Sequence, residues 1–169
     1  MMLKDLVLKN RSYRGFDESV RISRETLEGF VDCARLCPSS VNKQPLKYFL
    51  AWEPEEVGLT KWARALPDMV LPHPGKRPTG FVVICQDKRI DENLNRYQKD
   101  VGIVAQTMLL AAVEQGLGGC MIGNFQAGDG SDWTARGDPA AFDCGVWKTG
   151  GGDSSGGCAG GWKYELLPG

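Results

Sequence analysis

The sequence predicts a single domain in which helices and strands pack together. A chain of 169 residues with 42% hydrophobic content can bury one substantial core and is too short for two. Some stretches carry apolar residues at helical spacing, and others are continuous apolar runs of strand length. Together these features predict one mixed domain built from both kinds of element.

The predicted elements alternate in type along the chain. Ser23 is suited to cap the second helix, because Ile22 and Leu27 flank it at the positions of a hydrophobic staple. Residues 80–85 form an uninterrupted apolar run, which is typical of a strand covered on both faces. In chain order we predict a helix at 2–9, a helix from Ser23 to Pro38, a strand at 47–52, a helix at about 54–66, a proline-rich loop at 67–79, a strand at 80–85, a helix at about 91–115 and a strand at 117–125.

Charge and hydropathy exclude several kinds of partner. The chain carries 20 basic and 21 acidic residues, so its net charge of −1 gives no reason to expect nucleic acid or an anionic membrane. No apolar run approaches the roughly 20 residues that span a bilayer. The first residues also lack the pattern of a signal peptide. We therefore expect a cytoplasmic protein whose partner is a small molecule.

The helix predicted at 91–115 is apolar on nearly all sides in its second half, from Val101 to Val113. A helix of that kind must be buried all round, and in a small domain a second subunit often covers it. We therefore expect a homodimer. The alternative is a central helix within one monomer.

The cysteines and the single histidine indicate no metal site and no catalytic relay. Cys33 and Cys37 are spaced like one helix face, and Cys85 and Cys120 sit singly in apolar runs, which favours buried thiols. His73 is the only histidine, so a zinc site or a serine–histidine relay would lack its usual parts. If the protein is an enzyme, we expect a cofactor to carry the chemistry.

Two polar motifs are candidates for binding a ligand. Residues 38–45 (Pro-Ser-Ser-Val-Asn-Lys-Gln-Pro) join a helix to a strand and offer several hydrogen-bond donors on a backbone with little freedom. Residues 11–16 place Arg11 and Arg14 around a serine, and the arginine fork suits phosphate and planar carbonyl groups. For each motif an ordinary explanation stays open: a turn for the first and a solvated basic loop for the second.

With these motifs in order, the sequence resembles the FMN-dependent nitroreductase family. Residues 11–16 resemble its N-terminal Arg-Ser-x-Arg-x-Phe motif, and residues 38–45 resemble its Pro-Ser-x-x-Asn-x-Gln-Pro motif. The stretch from Asp100 to Gly123 resembles the family's dimer-core helix and the strand after it. The resemblance implies an α+β fold with a central, mostly antiparallel sheet flanked by helices, in an interlocked homodimer that holds two FMN molecules.

The resemblance also implies roles for individual residues. Arg11 and Ser12 would hold the FMN phosphate, and Arg14 would lie near the N1 and O2 edge of the flavin as an electrostatic stabiliser. The Pro-Ser part of the 38–45 motif would serve the FMN of the other subunit, and Gln44 would support that loop. No residue is expected to act as a catalytic acid or base, because the chemistry occurs on the flavin. The expected cofactor-binding residues are Arg11, Ser12, Arg14, Pro38, Ser39, Ser40, Asn42, Gln44, Ile122 and Gly123.

The implied activity is hydride transfer by a ping-pong mechanism. NADH or NADPH would reduce FMN, and a nitroaromatic, a quinone or a similar acceptor would then take the electrons. One alternative on the same fold is a specialised flavin reaction, such as dehalogenation or flavin fragmentation. The other is an FMN-binding protein without turnover.

Residues 126–169 differ in composition from residues 1–125, which we expect to form the nitroreductase-like FMN-binding domain. The tail holds twelve of the 22 glycines, two of the six cysteines and three tryptophans. It shows no periodicity from which a strand or helix can be predicted. A disordered end of the same domain is one interpretation, although three tryptophans are unusual in disordered chain.

A shifted reading frame is the second interpretation of this tail. The single Trp codon, TGG, becomes a Gly codon when it is read one base later, so the shift permits Gly-Leu-Pro at residues 133–135 and Gly-Lys-Pro at residues 147–149. These triplets resemble what the family carries around its last core strand. The written sequence would then lack that strand and a C-terminal basic contact to the phosphate, a role that Lys148 and Lys163 cannot be assigned. An intact mass that matches these 169 residues, from a gene with no base inserted or lost, would exclude the shift.

Overall fold

A computed structural model of the protein describes residues 2–53, 75–122, 142–151 and 166–167, with side chains up to residue 122 except that of residue 94. The helix predicted at 54–66, most of the 67–79 loop and Gly123 lie outside the described residues. The described elements are α1 (Leu3–Lys9), α2 (Arg24–Arg35), a 3-10 turn (Ser40–Asn42), β1 (Leu46–Ala51), β2 (Gly80–Asp87), a second 3-10 turn (Leu94–Tyr97), α3 (Gln98–Glu114), β3 (Leu117–Ile122), β4 (Phe142–Gly151) and β5 (Leu166–Leu167).

The predicted cap of α2 is confirmed. The Ser23 side chain accepts a hydrogen bond from the Thr26 amide at 3.2 Å, and Ile22 and Leu27 are both buried. The buried positions of this helix recur at three- and four-residue spacing, so one stripe faces the core. That stripe holds α2 against the core, and residues 38–45 follow shortly after the end of this helix.

The core lies where α2 and α3 pack on strands β1 and β2. Each large apolar side chain that is fully buried there stabilises the fold by about 1.5–3 kcal/mol. Strand β2 is buried along its whole length, as its continuous apolar run predicted. The cluster that joins these elements includes Leu27, Phe30, Val31, Tyr48, Leu50, Val82, Ile84, Val104, Ala105 and Met108.

The sheet has the strand order β3-β4-β2-β1-β5, and every neighbouring pair is antiparallel. The predicted arrangement of a mostly antiparallel sheet flanked by helices is confirmed. Strand β4 lies between β3 and β2, in the part of the chain for which a shifted reading frame is one interpretation. Residues 142–151 contain no proline, and strand pairing uses backbone groups that every other residue carries. Side-chain periodicity therefore did not predict this strand.

The longest helix is shorter than predicted and is not buried all round. Residues 94–97 form a 3-10 turn before α3 begins at Gln98, while Gly116 follows the helix with φ +77°, as a C-terminal glycine should. Ile103 on α3 remains 40% exposed within this protomer. One apolar side of α3 is thus uncovered. No helix among the described residues has the length and hydropathy to cross a membrane.

The cysteines follow the prediction in part. Cys33 on α2 and Cys37 just after it are half-buried free thiols, and Cys120 is a buried free thiol on β3. Cys85 is buried as expected, but it is disulfide-bonded, so the prediction of a free thiol at that position is wrong.

Candidate functional site

The segment around Arg11 and Arg14 is fixed to the edge of β3. Ser12 forms a parallel bridge with Gly119, and the Tyr13 amide donates to the Gly119 carbonyl at 3.0 Å. The Tyr13 ring lies over Gly118 so closely that a Cβ there would come within 2.5 Å of its Cδ2 atom. Glycine at 118 therefore allows the arginine segment to lie against the strand.

Both arginines of this segment are exposed, and their described hydrogen bonds go to nearby carbonyl oxygens. The Arg11 guanidinium donates to the carbonyls of Val7 at 3.0 Å and Asn10 at 2.6 Å, and that of Arg14 donates to the Ser12 carbonyl at 3.1 Å. Neither arginine pairs with a carboxylate among the residues that the structure describes. Their two positive charges are available to an anionic ligand.

Residues 38–45 form a loop with an unusual backbone, which we call the clamp. Val41, Asn42 and Gln44 have φ values of 49°, 55° and 49°, in the left-handed region that residues other than glycine rarely adopt. Such conformations persist only where the surrounding structure imposes them, and they cluster at functional sites. Val41 is 76% exposed, so its own side chain does not hold it there.

A buried carboxylate holds the start of the clamp. The Asp100 Oδ2 atom accepts hydrogen bonds from the Ser39 hydroxyl at 2.8 Å and from the Ser40 amide at 2.7 Å. The same Ser39 hydroxyl oxygen accepts from the Gln44 amide at 3.1 Å. The carboxylate lies in the first turn of α3 and is 4% exposed. The clamp is thereby attached to the beginning of that helix.

A second carboxylate holds the end of the clamp. Asp91 accepts from the Lys43 ammonium at 3.0 Å, from the Arg96 guanidinium at 2.7 Å and from the Tyr97 hydroxyl at 2.9 Å. Hydrogen bonds from the Asn93 amide, Lys43 and Tyr97, together with the charge of Arg96, lower the pKa of Asp91 below its ordinary value. Asp91 is therefore ionised in the folded protein near neutral pH.

The clamp leaves some polar groups unused. Within the described part of the chain, the Ser40 hydroxyl and the Asn42 side-chain amide make no hydrogen bond. Behind the clamp, Cys37, Tyr48 and Asp100 line a small cavity. Burial raises the pKa of Tyr48, so its phenol stays protonated and takes no part in acid–base chemistry near neutral pH.

The other predicted site residues are placed as follows. Pro38 is exposed, and Gln44 contributes its backbone amide to the clamp's internal hydrogen bond. Ile122 is half-buried at the end of β3, where it pairs with residue 146. No hydrogen bond or ion pair among the described residues joins the arginine segment to the clamp. One segment is attached to β3 and the other to the start of α3.

Sequence reasoning missed the two carboxylates that hold the clamp. Asp100 was noted only as the start of a motif, and Asp91 only as a helix boundary. A signal for Asp100 does exist, since it is an acidic residue at the head of an otherwise apolar helix and so requires buried donors. Asp91 carries no such signal, because an acidic residue before a helix usually faces solvent.

Comparison with known proteins identifies the family and the fold. The sequence matches the Nitroreductase family over residues 7–74 and 72–135. No curated protein matches it. An FMN-dependent nitroreductase from Clostridium difficile R20291 has a TM-score of 0.70 at 21% identity, with 92% of this chain and 91% of that chain covered. The nitroreductase CinD from Lactococcus lactis, in complex with 4-nitrophenol, has a TM-score of 0.73 at 17% identity, with 92% of each chain covered.

A third structure, a protein from Exiguobacterium sibiricum in complex with FMN, has a TM-score of 0.74 at 18% identity, with 92% of this chain and 90% of that chain covered. The fold and the sequence match define the class of protein as a flavin-dependent oxidoreductase of α+β architecture. Since the match spans well over half of the chain, the protein belongs to the Nitroreductase family. The resemblance inferred from the three motifs is confirmed.

Proposed function

We propose that the protein is an FMN-dependent NAD(P)H oxidoreductase that reduces nitroaromatic compounds, quinones or similar acceptors. The observation that carries the proposal is the arginine segment, in which two cations that have no carboxylate partner among the described residues are fixed on a strand edge beside two glycines. FMN presents a phosphate and a flat polar ring, and this set of donors suits both. No catalytic acid or base is required of the protein, because bound FMN would supply the hydride-transfer chemistry.

Seven of the ten predicted residues have a direct task in this function. Arg11 and Ser12 bind the phosphate, since an exposed guanidinium and a hydroxyl on a fixed backbone are suited to a dianion. Arg14 lies three residues further on and stabilises negative charge at the N1 and O2 edge of the ring. Ser40 and Asn42 offer the cofactor polar groups that are unused among the described residues, and the backbone at Ile122 lies near the ring, a role also predicted for residue 123, which is outside the described residues.

The site is completed by a second copy of the chain. The clamp is attached at the first turn of α3, whereas the arginine segment is attached to β3, which begins after the helix has ended. A helix of 17 residues is about 25 Å long at 1.5 Å per residue. These attachments at different ends of α3 favour two half-sites on one protomer, each paired with the complementary half-site of its partner.

The test is whether the protein binds flavin and passes electrons. Purified protein mixed with FMN and freed of excess should be yellow, and anaerobic NADH or NADPH should bleach it. Adding a nitroaromatic compound or a quinone should then restore the colour. Yellow protein that neither nucleotide reduces would favour an FMN-binding protein without turnover. Protein that takes up no FMN would refute the proposal.

Substitutions of the two arginines should affect FMN binding and flavin reduction to different extents. Arg14→Ala is expected to slow flavin reduction roughly tenfold or more, because it removes a fixed charge beside the developing negative charge, with a smaller effect on FMN affinity. Arg11→Ala should do the reverse, weakening FMN binding more than it slows reduction of the bound flavin. Rapid-mixing absorbance gives the reduction rate, and fluorescence titration gives the affinity. Equal effects of the two changes on both quantities would contradict these roles.

A further inference from the structure

The clamp has an energetically unfavourable backbone conformation. Three of its residues have left-handed φ values, and one of them is the β-branched Val41, for which that region is especially unfavourable. The 3-10 turn at residues 40–42 has no side-chain cap of its own. Contacts from outside the loop therefore add to its own hydrogen bonds in imposing the conformation that it shows.

The contacts at its start converge on one oxygen atom. Asp100 Oδ2 accepts both the Ser39 hydroxyl and the Ser40 amide, and Ser39 in turn accepts the Gln44 amide. One carboxylate oxygen thus links both sides of the left-handed stretch. A buried carboxylate makes strong hydrogen bonds to such donors, since it would otherwise lose its hydration without compensation.

These bonds divide the clamp residues into two groups. A serine hydroxyl has one proton to donate, and that of Ser39 goes to Asp100, so the Ser39 side chain has no donor left for a ligand. Within the described residues, the Ser40 hydroxyl and the Asn42 amide remain unpaired. The left-handed backbone between them determines where these two side chains are held.

We propose that Asp100 is a positioning residue for the cofactor site. It fixes the clamp through the Ser39 hydroxyl and the Ser40 amide, so that the Ser40 and Asn42 side chains contact the ligand, whereas the Ser39 side chain acts only through Asp100. The identity of that ligand as FMN rests on the proposed function. Asp91 holds the other end of the clamp through the exposed Lys43.

FMN affinity is the first measurement. Because both bonds end on the same oxygen, the amide oxygen of Asp100→Asn can still accept them, whereas Asp100→Ala can accept neither. We expect the dissociation constant to rise in the order wild type, Asp100→Asn, Asp100→Ala, with a rise of roughly tenfold or more for alanine. Ser39→Ala should raise the FMN dissociation constant about as much as Asp100→Ala does. The double variant should bind FMN only slightly more weakly than Asp100→Ala alone. Asp32→Asn, an exposed carboxylate change on α2, is the control and should leave the affinity unchanged.

Hydrogen exchange without FMN is the second measurement, and it does not depend on the ligand. The amides of Ser40 and Gln44 should exchange roughly tenfold faster in Asp100→Ala, while those in β2 are unaffected. If that variant does not fold, Ser39→Ala serves for both measurements. If the clamp amides of the variant exchange faster but the variant binds FMN as tightly as wild type, Asp100 does not position the cofactor site. If the clamp amides exchange at the wild-type rate, Asp100 does not hold the loop. Wild-type protein that binds no FMN refutes the proposed function itself, a result distinct from either.

Discussion

At the scale of single residues, the contact between Tyr13 and Gly118 decides whether the arginine segment can lie on β3. We predict that Gly118→Ala destabilises the protein by about 1–3 kcal/mol, because its Cβ would overlap the tyrosine ring and the ring is tied to the Lys9 carbonyl by its hydroxyl. Urea unfolding monitored by circular dichroism measures the loss. FMN affinity should fall as well, since the segment that carries Arg11 and Arg14 is displaced.

A matched pair of controls tests the cause of that loss. Gly29→Ala places the same methyl group on α2, where nothing lies within 4 Å, and should stabilise the protein by up to about 1 kcal/mol. In a Tyr13→Ala background, Gly118→Ala should be nearly neutral, because the overlapping ring is gone. A full loss of stability in that background would show that the strand itself, and not the tyrosine, requires glycine.

At the scale of elements, the sequence predicted those parts of the fold that local patterns determine. Ser23 and the apolar stripe after it specified α2, and an unbroken apolar run specified β2, because capping and periodicity act within a few residues. Strand β4 was missed, since backbone pairing with β2 and β3 defines it. Its glycine-rich sequence has no alternation of its own.

The site was predicted to the same extent and for the same reason. Motif resemblance named the arginine segment and the clamp, but the left-handed backbone of Val41 and Gln44 has no local signature, because glycine would be the usual residue there. The bond from Ser39 to Asp100 joins positions 61 residues apart, so only the folded chain shows it. The roles assigned to the cofactor-binding residues stay predictions.

The segment that leads into α3 should make stability depend on pH through Asp91. Its folded-state pKa is lowered by hydrogen bonds from the Asn93 amide, Lys43 and Tyr97. A lowered pKa contributes stability that is fully present above the unfolded-state value of about 3.9 and is lost as the pH falls through the folded-state value. We predict that Asp91→Asn is less stable than wild type by a constant amount from about pH 5 to 8, and that the difference shrinks below about pH 4.

Denaturant unfolding of the protein without FMN at several pH values measures this difference. Asp32→Asn, whose carboxylate pairs with Arg35 on an exposed helix face, should show little difference at any pH, because exposed pairs contribute little. A difference between wild type and Asp91→Asn that persists unchanged to pH 3 would mean that the asparagine disturbs the segment for reasons other than charge.

At the scale of the whole molecule, three of the exposed apolar side chains lie in the clamp or in the helices on either side of it. Leu36 at the end of α2 is 69% exposed, Val41 in the clamp 76% and Ile103 on α3 40%. Ile103 follows Asp100 by one helical turn, so it lies on the same side of α3 as the carboxylate that holds the clamp. A second copy of the chain that covers these apolar side chains would bring its own arginine segment to the clamp, as the proposed function requires.

We predict that Ile103→Glu shifts the protein from dimer to monomer and weakens FMN binding with it. In a two-fold interface each substitution enters twice, so two carboxylates would be buried in an apolar contact. Sedimentation velocity at several protein concentrations measures the assembly. Ile90→Glu is the matched control, since Ile90 is 38% exposed but lies in the turn after β2. If Ile103→Glu remains a dimer with full FMN affinity, the second copy does not bind through this surface, and each FMN site must be completed in another way.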